Sequence, residues 1–202
     1  MKYRAILYLG ISAVFWACGA GSPQPKPYGY LRIDFPEKSY RDFKHEQISF
    51  RYPKYAEVIV DPFGNQNKDW LDVCFPAFNA KIHLSYHHVE NNFEILVEDA
   101  RSLALKHIQK ASGIRQTVIE RDTDRVYGLI YDISGIATAS SCQFFLSDTT
   151  ANFIRGALYF NLAPNNDSLS PVINFIRQDI DTLIYSLRWT ILVTSNEVTG
   201  NR

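Results

Sequence analysis

The stretch that decides the fold runs from residue 125 to residue 162 and reads RVYGLIYDISGIATASSCQFFLSDTTANFIRGALYFNL. It contains three segments rich in β-branched and aromatic residues, RVYGLIYDIS, SSCQFFLS and NFIRGALYFNL, which the short links GIATA and DTTA join. Links this short connect neighbouring antiparallel strands and cannot hold a parallel crossover. The stretch therefore predicts an antiparallel meander, and TVIE at 117–120 adds one further strand to it.

Helical periodicity flanks this meander on both sides. Residues 92–111 repeat apolar and small side chains at helical spacing, and Asn91 and Glu94 are placed as in a capping box. Residues 170–188 carry a wide apolar stripe, with Pro171 in the first turn. Each segment is therefore predicted to be an amphipathic helix that packs against the sheet.

Alternating apolar residues predict further strands before the first helix. They indicate an edge strand at 31–35 that Pro36 ends, a strand at 48–52, and a hairpin whose arms, 71–75 and 80–86, are joined by PAFN. The order of strands, helix, strands and helix shows no βαβ alternation. It predicts an α+β fold in which two main helices pack on an antiparallel sheet.

Length and composition limit the class of protein. A chain of 202 residues fits one domain, which we place at 30–190, and residues 191–202 lose periodicity and are expected to fray. Basic and acidic residues both number 21, which argues against a nucleic-acid binder that neutralises phosphates. Three cysteines are too few for a disulfide scaffold, and no apolar run reaches the roughly 18 residues of a membrane-spanning helix.

The first residues are typical of an export signal. Lys2 and Arg4 precede an uncharged stretch that ends at Ala17, so residues 1–17 are predicted to be a signal peptide. The following Cys18 resembles the cysteine of a bacterial lipobox, whose thiol is acylated with fatty acids such as palmitate, although Phe15-Trp16 departs from that pattern. The alternatives are an ordinary signal peptide with a chance cysteine, or a short buried helix.

Residues 18–29 are predicted to be a tether. Three alternating prolines within GAGSPQPKPYG forbid a helix or a central strand, so the segment spans about 3 Å per residue, roughly 30 Å in all. Without residues 1–17 the chain has 19 basic and 21 acidic groups, a net charge of −2. Such a charge gives no attraction to anionic headgroups, so the expected anchor is the lipid on Cys18.

The histidines do not form a recognisable metal site. On one strand His83 and His87 share a face about 13 Å apart, and His88 points the other way. We therefore predict a solvated sheet face for them; the alternative is a bulge that brings His87 and His88 together. His45-Glu46 begins like HExxH, but Ser49 stands where the second histidine is needed. We predict no metal and no cofactor.

Candidate nucleophiles and carboxylates have simpler structural explanations. Cys74 and Cys142 lie in apolar strands, which favours buried inert thiols, with a disulfide between them as the alternative. Asp132 and Asp148 end strands, where aspartates usually form turns. Arg155 lies within a strong strand, either exposed on its face or paired with a carboxylate or a partner. We therefore predict no catalytic residue.

Two triplets resemble the Asp-Ser/Thr-apolar sequon of periplasmic O-glycosylation. They are centred on Thr149 and Ser168. Triplets this short also occur by chance, so whether either residue is glycosylated stays open.

A series of ordered segments resembles the gliding motility-associated lipoprotein family GldD. The resemblance covers about residues 25–189 and rests on PKPYGYLRIDFPEKSY, FRYPKYA, AKIHLSY, EDARSLALKH, GLIYDISG, QFFLSD, FIRGALYF and PNNDSLSPVI. It implies an envelope lipoprotein of gliding Gram-negative bacteria that is tied to type IX secretion. It implies no enzymatic activity, and Cys18 is the one functional position carried over. The order of strands and helices also resembles PsbP-like α+β domains, an analogy of fold alone.

We therefore expect a lipid-anchored, non-enzymatic protein that serves the gliding and type IX secretion machinery as an accessory or assembly factor. Its domain is expected in the periplasm, and its partners are other envelope proteins and the membrane, with no nucleic acid. The alternative is a periplasmic small-ligand-binding domain or hydrolase with a cleft beside the sheet. A deep pocket with converging polar groups would favour that alternative, and an exposed apolar patch would favour a protein partner.

Overall fold

The folded body is built of antiparallel strands and two α-helices. The computed structural model describes residues 33–62, 69–106, 109–162 and 165–190. The chain divides into two units, Met1–Ile33 and Asp34–Arg202, and the strands and helices of the described residues belong to the second unit. The predicted signal peptide, Cys18, the tether and the tail at 191–202 lie outside the described residues.

The elements follow one another in the order strands, helix, strands, helix. The strands are β1 (Tyr40–His45), β2 (Ile48–Pro53), β3 (Glu57–Val60), β4 (Trp70–Phe75), β5 (Ala80–His88), β6 (Gly113–Arg121), β7 (Val126–Ser134), β8 (Cys142–Ser147), β9 (Asn152–Phe160) and β10 (Arg188–Trp189). The helices are α1 (Phe93–Leu105) and α2 (Asn166–Ser186). No helix among the described residues has the length and apolar character needed to cross a bilayer.

The strands form two antiparallel sheets. The larger has the order β3-β4-β5-β9-β8-β7-β6, and the smaller has the order β1-β2-β10. The run from β6 to β9 pairs each strand with the next, so the predicted meander is confirmed. β4 and β5 form the predicted hairpin, with Asn79 in the left-handed conformation at its turn. The predicted α+β class is confirmed, with a second small sheet in addition.

The two helices pack on opposite faces of the large sheet. On the first face, Ala100 and Ala104 of α1 pack with Tyr131, Phe145 and Phe153 of the strands. Side chains alternate along a strand, so Asp132 lies on the second face, where it meets Arg177 of α2. The helix α2 buries a stripe of aliphatic residues there: Val172, Ile176, Ile180, Leu183 and Ile184.

One glycine allows a close approach within this core. A Cβ atom on Gly156 would lie 2.2 Å from Cζ of Phe144, its cross-strand partner. Glycine at this position lets the buried Phe144 ring lie flat across the neighbouring strand.

Some predicted boundaries differ from the structure. The first helix ends at Leu105 instead of residue 111. The second begins at Asn166, because the Asn165 side chain caps it by accepting a bond from the Ser168 amide, so Pro171 lies inside the helix. The prediction of an edge strand at 31–35 is wrong for residues 33–35, the part of it that the structure describes, because residues 33–39 form no strand. The first strand is β1, which local periodicity did not predict.

Candidate functional site

The predicted anchor, Cys18, lies outside the described residues, so its lipidation stays a prediction. The structure does describe how the chain enters the body after the tether. Phe35 and Lys38 come a few residues after Gly29 and both contact helix α2. This entry point is the part of the described body that lies nearest in sequence to the predicted tether.

A buried carboxylate on α2 holds the entering chain. Asp179 is 1% exposed, and its Oδ1 accepts bonds from Lys38 Nζ at 2.8 Å and Tyr40 Oη at 2.9 Å. Its Oδ2 accepts a bond from Tyr55 Oη at 2.6 Å. We call Lys38, Tyr40, Tyr55 and Asp179 the clasp. Three donors from two segments, the entering chain and the residues after β2, satisfy this carboxylate, as a buried charge requires.

The electrostatics of the clasp follow from its burial. Burial lowers the pKa of Lys38, while the Asp179 carboxylate acts in the opposite direction. Burial is the largest cause of the raised pKa values of Tyr40 and Tyr55, and the Asp179 carboxylate also raises them. At Tyr40, Thr182 and Arg51 act in the opposite direction. Both phenols therefore stay protonated near neutral pH and act as donors.

Aromatic rings surround the clasp. The Phe35 ring stacks on Phe175 with centroids 4.4 Å apart, and the Phe78 ring lies 5.8 Å from Phe35. Lys38 Nζ lies 3.5 Å from the Phe175 ring centroid and donates to the Phe175 carbonyl oxygen at 2.7 Å. The chain that leads to the tether is thus fixed to α2 by stacking, a cation–π contact and hydrogen bonds.

The prediction of a solvated sheet face is wrong for His83. Its Nδ1 lies 2.7 Å from Oδ1 of the buried Asp72, directly across the β4–β5 pair. Lys81 Nζ lies 2.7 Å from the other oxygen of the same carboxylate. Because a buried carboxylate needs such partners, His83 has a structural role in this sheet.

His87 and His88 are exposed at the end of β5. Both continue the regular register with β9, so the bulge considered as an alternative is absent from β5. His88 Nδ1 lies 3.4 Å from Tyr86 Oη. Among the described residues, no group of three or more histidines, cysteines and carboxylates could hold a metal ion.

Asp132 is held by two arginines on the face that α2 covers. Its Oδ1 accepts from Arg177 Nε at 2.7 Å, and its Oδ2 accepts from Arg115 Nη2 at 3.1 Å. Arg177 also pairs with Asp181 one helical turn further along α2. This network joins β6, β7 and α2, and it leaves Asp132 in a structural role.

Asp148 forms the β8–β9 turn, as the sequence predicts. Its Oδ1 accepts bonds from the amides of Thr150, Ala151 and Asn152, and its Oδ2 accepts a bond from Asn152 Nδ2. Burial alone would raise the pKa of this carboxyl, but these bonds outweigh burial and lower it below the ordinary value of 3.8.

Removing the charge of Asp148 should destabilise the fold in a pH-dependent way. A carboxyl whose pKa is lower in the folded state than in the unfolded state stabilises the fold when the pH is above its unfolded-state pKa. This contribution is lost as the pH falls through its folded-state pKa. Asp148→Asn should therefore lower the free energy of unfolding by about 2 kcal/mol at pH 7, and the gap should close below about pH 4. Urea unfolding of the wild type and the variant at pH 7 and pH 3 measures this difference in the free energy of unfolding, and Glu57→Gln, at an exposed position, is the control. A gap that widens toward pH 3 would contradict this sign.

The two cysteines do not form the disulfide considered as an alternative. Cys74 lies on β4 and Cys142 on β8, with β5 and β9 between those strands. Three strand spacings give about 14 Å, well beyond the roughly 7 Å that a disulfide spans. Both thiols are free, and burial raises the pKa of Cys74 and raises that of Cys142 to about 12. A thiol that stays protonated is a poor nucleophile.

Arg155 pairs with an amide, a partner that the sequence did not suggest. Its Nη2 donates to Gln143 Oε1 at 2.9 Å on the neighbouring strand β8. Within the described part of the chain, Arg155 Nε and Gln143 Nε2 have no hydrogen-bond partner. The predicted exposed strand-face arginine is in fact half-buried.

The clasp is the main feature that the sequence did not predict. A signal for it was present, because Asp179 lies three residues after Ile176 and four before Leu183 and therefore on the apolar face of α2. A carboxylate on a buried face requires donors. Its donors are 124 to 141 residues away along the chain, and no local pattern identifies them.

Comparisons with known proteins identify a family and a similar fold. No curated protein sequence matches the chain. The solution structure of cyanobacterial PsbP (CyanoP) from Synechocystis sp. PCC 6803 is similar at a TM-score of 0.48 and 8% identity, over 81% of this chain and 99% of that chain. The family described as gliding motility lipoprotein GldD matches residues 20–189. Because that match covers most of the sequence, the chain belongs to the GldD family of gliding motility lipoproteins.

Proposed function

We propose that this protein is a non-enzymatic accessory or assembly factor of gliding motility and of type IX secretion, anchored through a lipid on Cys18. Its domain lies in the periplasm and acts by binding other envelope proteins. The observation that carries the proposal is the family match over residues 20–189. The lipobox-like Cys18 and the proline-rich tether support the anchoring.

The tether would allow the domain to act through low-affinity contacts with its partners. An anchored domain stays within about 30 Å of its membrane, which raises its effective concentration toward proteins of the same membrane. The clasp supports this mechanism, because it joins the chain that follows the tether to the core helix α2. The anchor is therefore coupled to the body within a few residues of the tether.

The chemistry of the candidate catalytic groups supports a binding protein. The buried thiol of Cys142 has a pKa raised to about 12. Asp132 is neutralised by Arg177 and Arg115. Asp148 accepts four bonds within its own turn. Each group is engaged in holding the fold, and we propose that none of them acts on a substrate.

Replacing Cys18 by alanine should remove the anchor and with it gliding. Metabolic labelling with a fatty-acid analogue should mark the wild-type protein and leave Cys18→Ala unlabelled. Gliding should fail in the variant even when the domain folds and is exported, because the effective concentration near its partners falls by about 10²- to 10⁴-fold. The matched control is a version of the domain that an ordinary signal peptide releases into the periplasm.

Two outcomes would overturn this proposal. Equal labelling of wild type and Cys18→Ala would show that Cys18 is not the lipidated residue. Full gliding with the released, correctly folded domain would show that anchoring is irrelevant. Single substitutions of His83, His87 or Asp132 that leave the protein folded should keep gliding intact. If one of them abolished gliding in a folded protein, the ligand-binding or hydrolase alternative would take precedence.

A further inference from the structure

A cleft lies where the small sheet meets the end of the large sheet. Its volume is about 490 Å³, within the range of roughly 300–1,000 Å³ that small-molecule sites occupy. Trp189 of β10 and Gln47 of the β1–β2 turn line one side, and Tyr86 and His88 of β5 with Asn152 of β9 line the other. Asp148, whose carboxylate is engaged in its own turn, also belongs to the lining.

A chain of hydrogen bonds fixes the tautomer of His88. The Asp148 carboxylate only accepts, so Asn152 Nδ2 donates to it at 2.6 Å and the Asn152 amide oxygen is left as an acceptor. Tyr86 Oη donates to that oxygen at 2.5 Å, and burial raises the pKa of Tyr86 to about 12, which keeps this proton in place. His88 Nδ1 lies 3.4 Å from Tyr86 Oη, and because that hydroxyl directs its hydrogen to Asn152, the contact favours the tautomer in which Nδ1–H donates to Tyr86 Oη and Nε2 accepts.

The indole of Trp189 forms a wall of fixed orientation. Its Nε1 donates to the Arg125 carbonyl oxygen at 2.9 Å, so its polar atom is already engaged. The ring that lines the cleft therefore offers an apolar face. Aromatic faces of this kind stack on flat or ring-shaped ligands, while nearby polar groups set orientation.

The carboxylates of the lining are already engaged within the fold. Asp148 accepts hydrogen bonds from its own turn, and Asp124 pairs with Arg121 and with Arg188, whose Nε lies 2.8 Å away. Neither carboxylate is therefore free to bind a cation in the cleft. Arg125 is exposed and donates to Thr150 Oγ1 at 3.1 Å.

We propose that this cleft binds a neutral, hydroxyl-bearing ring, a saccharide unit, whose face stacks on Trp189 and whose hydroxyl donates to His88 Nε2. Gln47 and Thr190, which also line the cleft, supply further polar partners for hydroxyl groups. The inference goes beyond the proposed function, and its test does not depend on gliding. A domain that binds a saccharide could dock on a glycan as well as on proteins.

The test is a fluorescence titration of the full lipoprotein in a zwitterionic detergent that contains no sugar headgroup. The probes are cellotriose, maltotriose and the trimer of N-acetylglucosamine. Once residues 1–17 are removed, Trp70 and Trp189 are the remaining tryptophans, and Trp70→Phe isolates the signal of Trp189. At least one probe should change that signal saturably, with a dissociation constant on the order of 1 mM or lower.

Neighbouring histidines provide the matched variants. His88→Ala should weaken binding about tenfold, because one hydrogen bond is lost. His88→Gln, which keeps an acceptor, should retain most of the affinity. His87→Ala changes an exposed histidine that does not line the cleft and should leave affinity unchanged. Circular dichroism confirms that each variant is folded.

Three results would overturn the proposal. No saturable response to any of the three saccharides would refute the ligand class. A response that His88→Ala leaves unchanged, or that His87→Ala weakens equally, would place binding outside the cleft. Binding of acetate or phosphate in preference to every saccharide would show that Arg125 makes this an anion site.

Discussion

Replacing Leu183 by aspartate should lower the free energy of unfolding by about 4 kcal/mol or more, a large fraction of the stability of an ordinary domain. Leu183 is 1% exposed at the centre of the apolar stripe of α2. The substitution removes a buried aliphatic side chain and places a carboxylate on the buried face of the helix, among the aliphatic residues of the stripe. Urea denaturation followed by circular dichroism measures the loss.

The control for this prediction lies two residues away on the same helix. Tyr185 is 55% exposed, so Tyr185→Asp introduces the same charge with a similar helix propensity into solvent. Its effect should stay within about 0.5 kcal/mol. Equal stability of Leu183→Asp and the wild type would show that α2 is not docked on the sheet.

The sequence predicted the parts of the fold that local patterns determine. Residues 125–162 alternate with period two, and their short links leave antiparallel pairing as the available geometry. The stripe of α2 repeats at helical spacing from Val172 to Ile184, so that helix was found even though its start was placed near residue 170. The Asn165 cap moved the start to Asn166, because a side-chain cap stabilises a helix turn that carries no apolar signal.

Contacts between distant segments were beyond such patterns. Residues 31–35 alternate like a strand, but Phe35 stacks on Phe175 of α2 instead of pairing in a sheet. His83 alternates with apolar residues like a solvent-facing side chain, yet its cross-strand neighbour Asp72 is buried and binds it. In both cases a specific side chain on another element decides the environment, and periodicity carries no information about that partner.

The candidate site shows the same division. Cys18 and its tether were predicted from local sequence, and the inert strand-end role of Asp148 was predicted from its type and position. The clasp and the saccharide cleft each join residues from distant elements. The donors of Asp179 come from two segments more than 120 residues before it, so the structure was needed to identify them.

Removing the clasp carboxylate should be the second most damaging change. Asp179→Ala leaves the partly buried Lys38 ammonium and the hydroxyls of Tyr40 and Tyr55 without their acceptor. Breaking a buried charge pair by removing one partner costs about 3–5 kcal/mol, because the other charge stays desolvated. We expect a loss of about 3 kcal/mol in the free energy of unfolding, measured in urea.

Two comparisons separate the clasp from general effects of charge on α2. Asp181→Ala removes a carboxylate from the same helix whose side chain is 44% exposed, and it should cost less than about 1 kcal/mol. Lys38→Met combined with Asp179→Leu removes both buried charges, and it should recover part of the stability lost in Asp179→Ala because no charge is left unpaired. If Asp179→Ala and Asp181→Ala cost the same, the clasp does not hold the entering chain. If instead the double variant is no more stable than Asp179→Ala, the loss comes from the tyrosine bonds, and the ion pair with Lys38 does not couple the tether to the body.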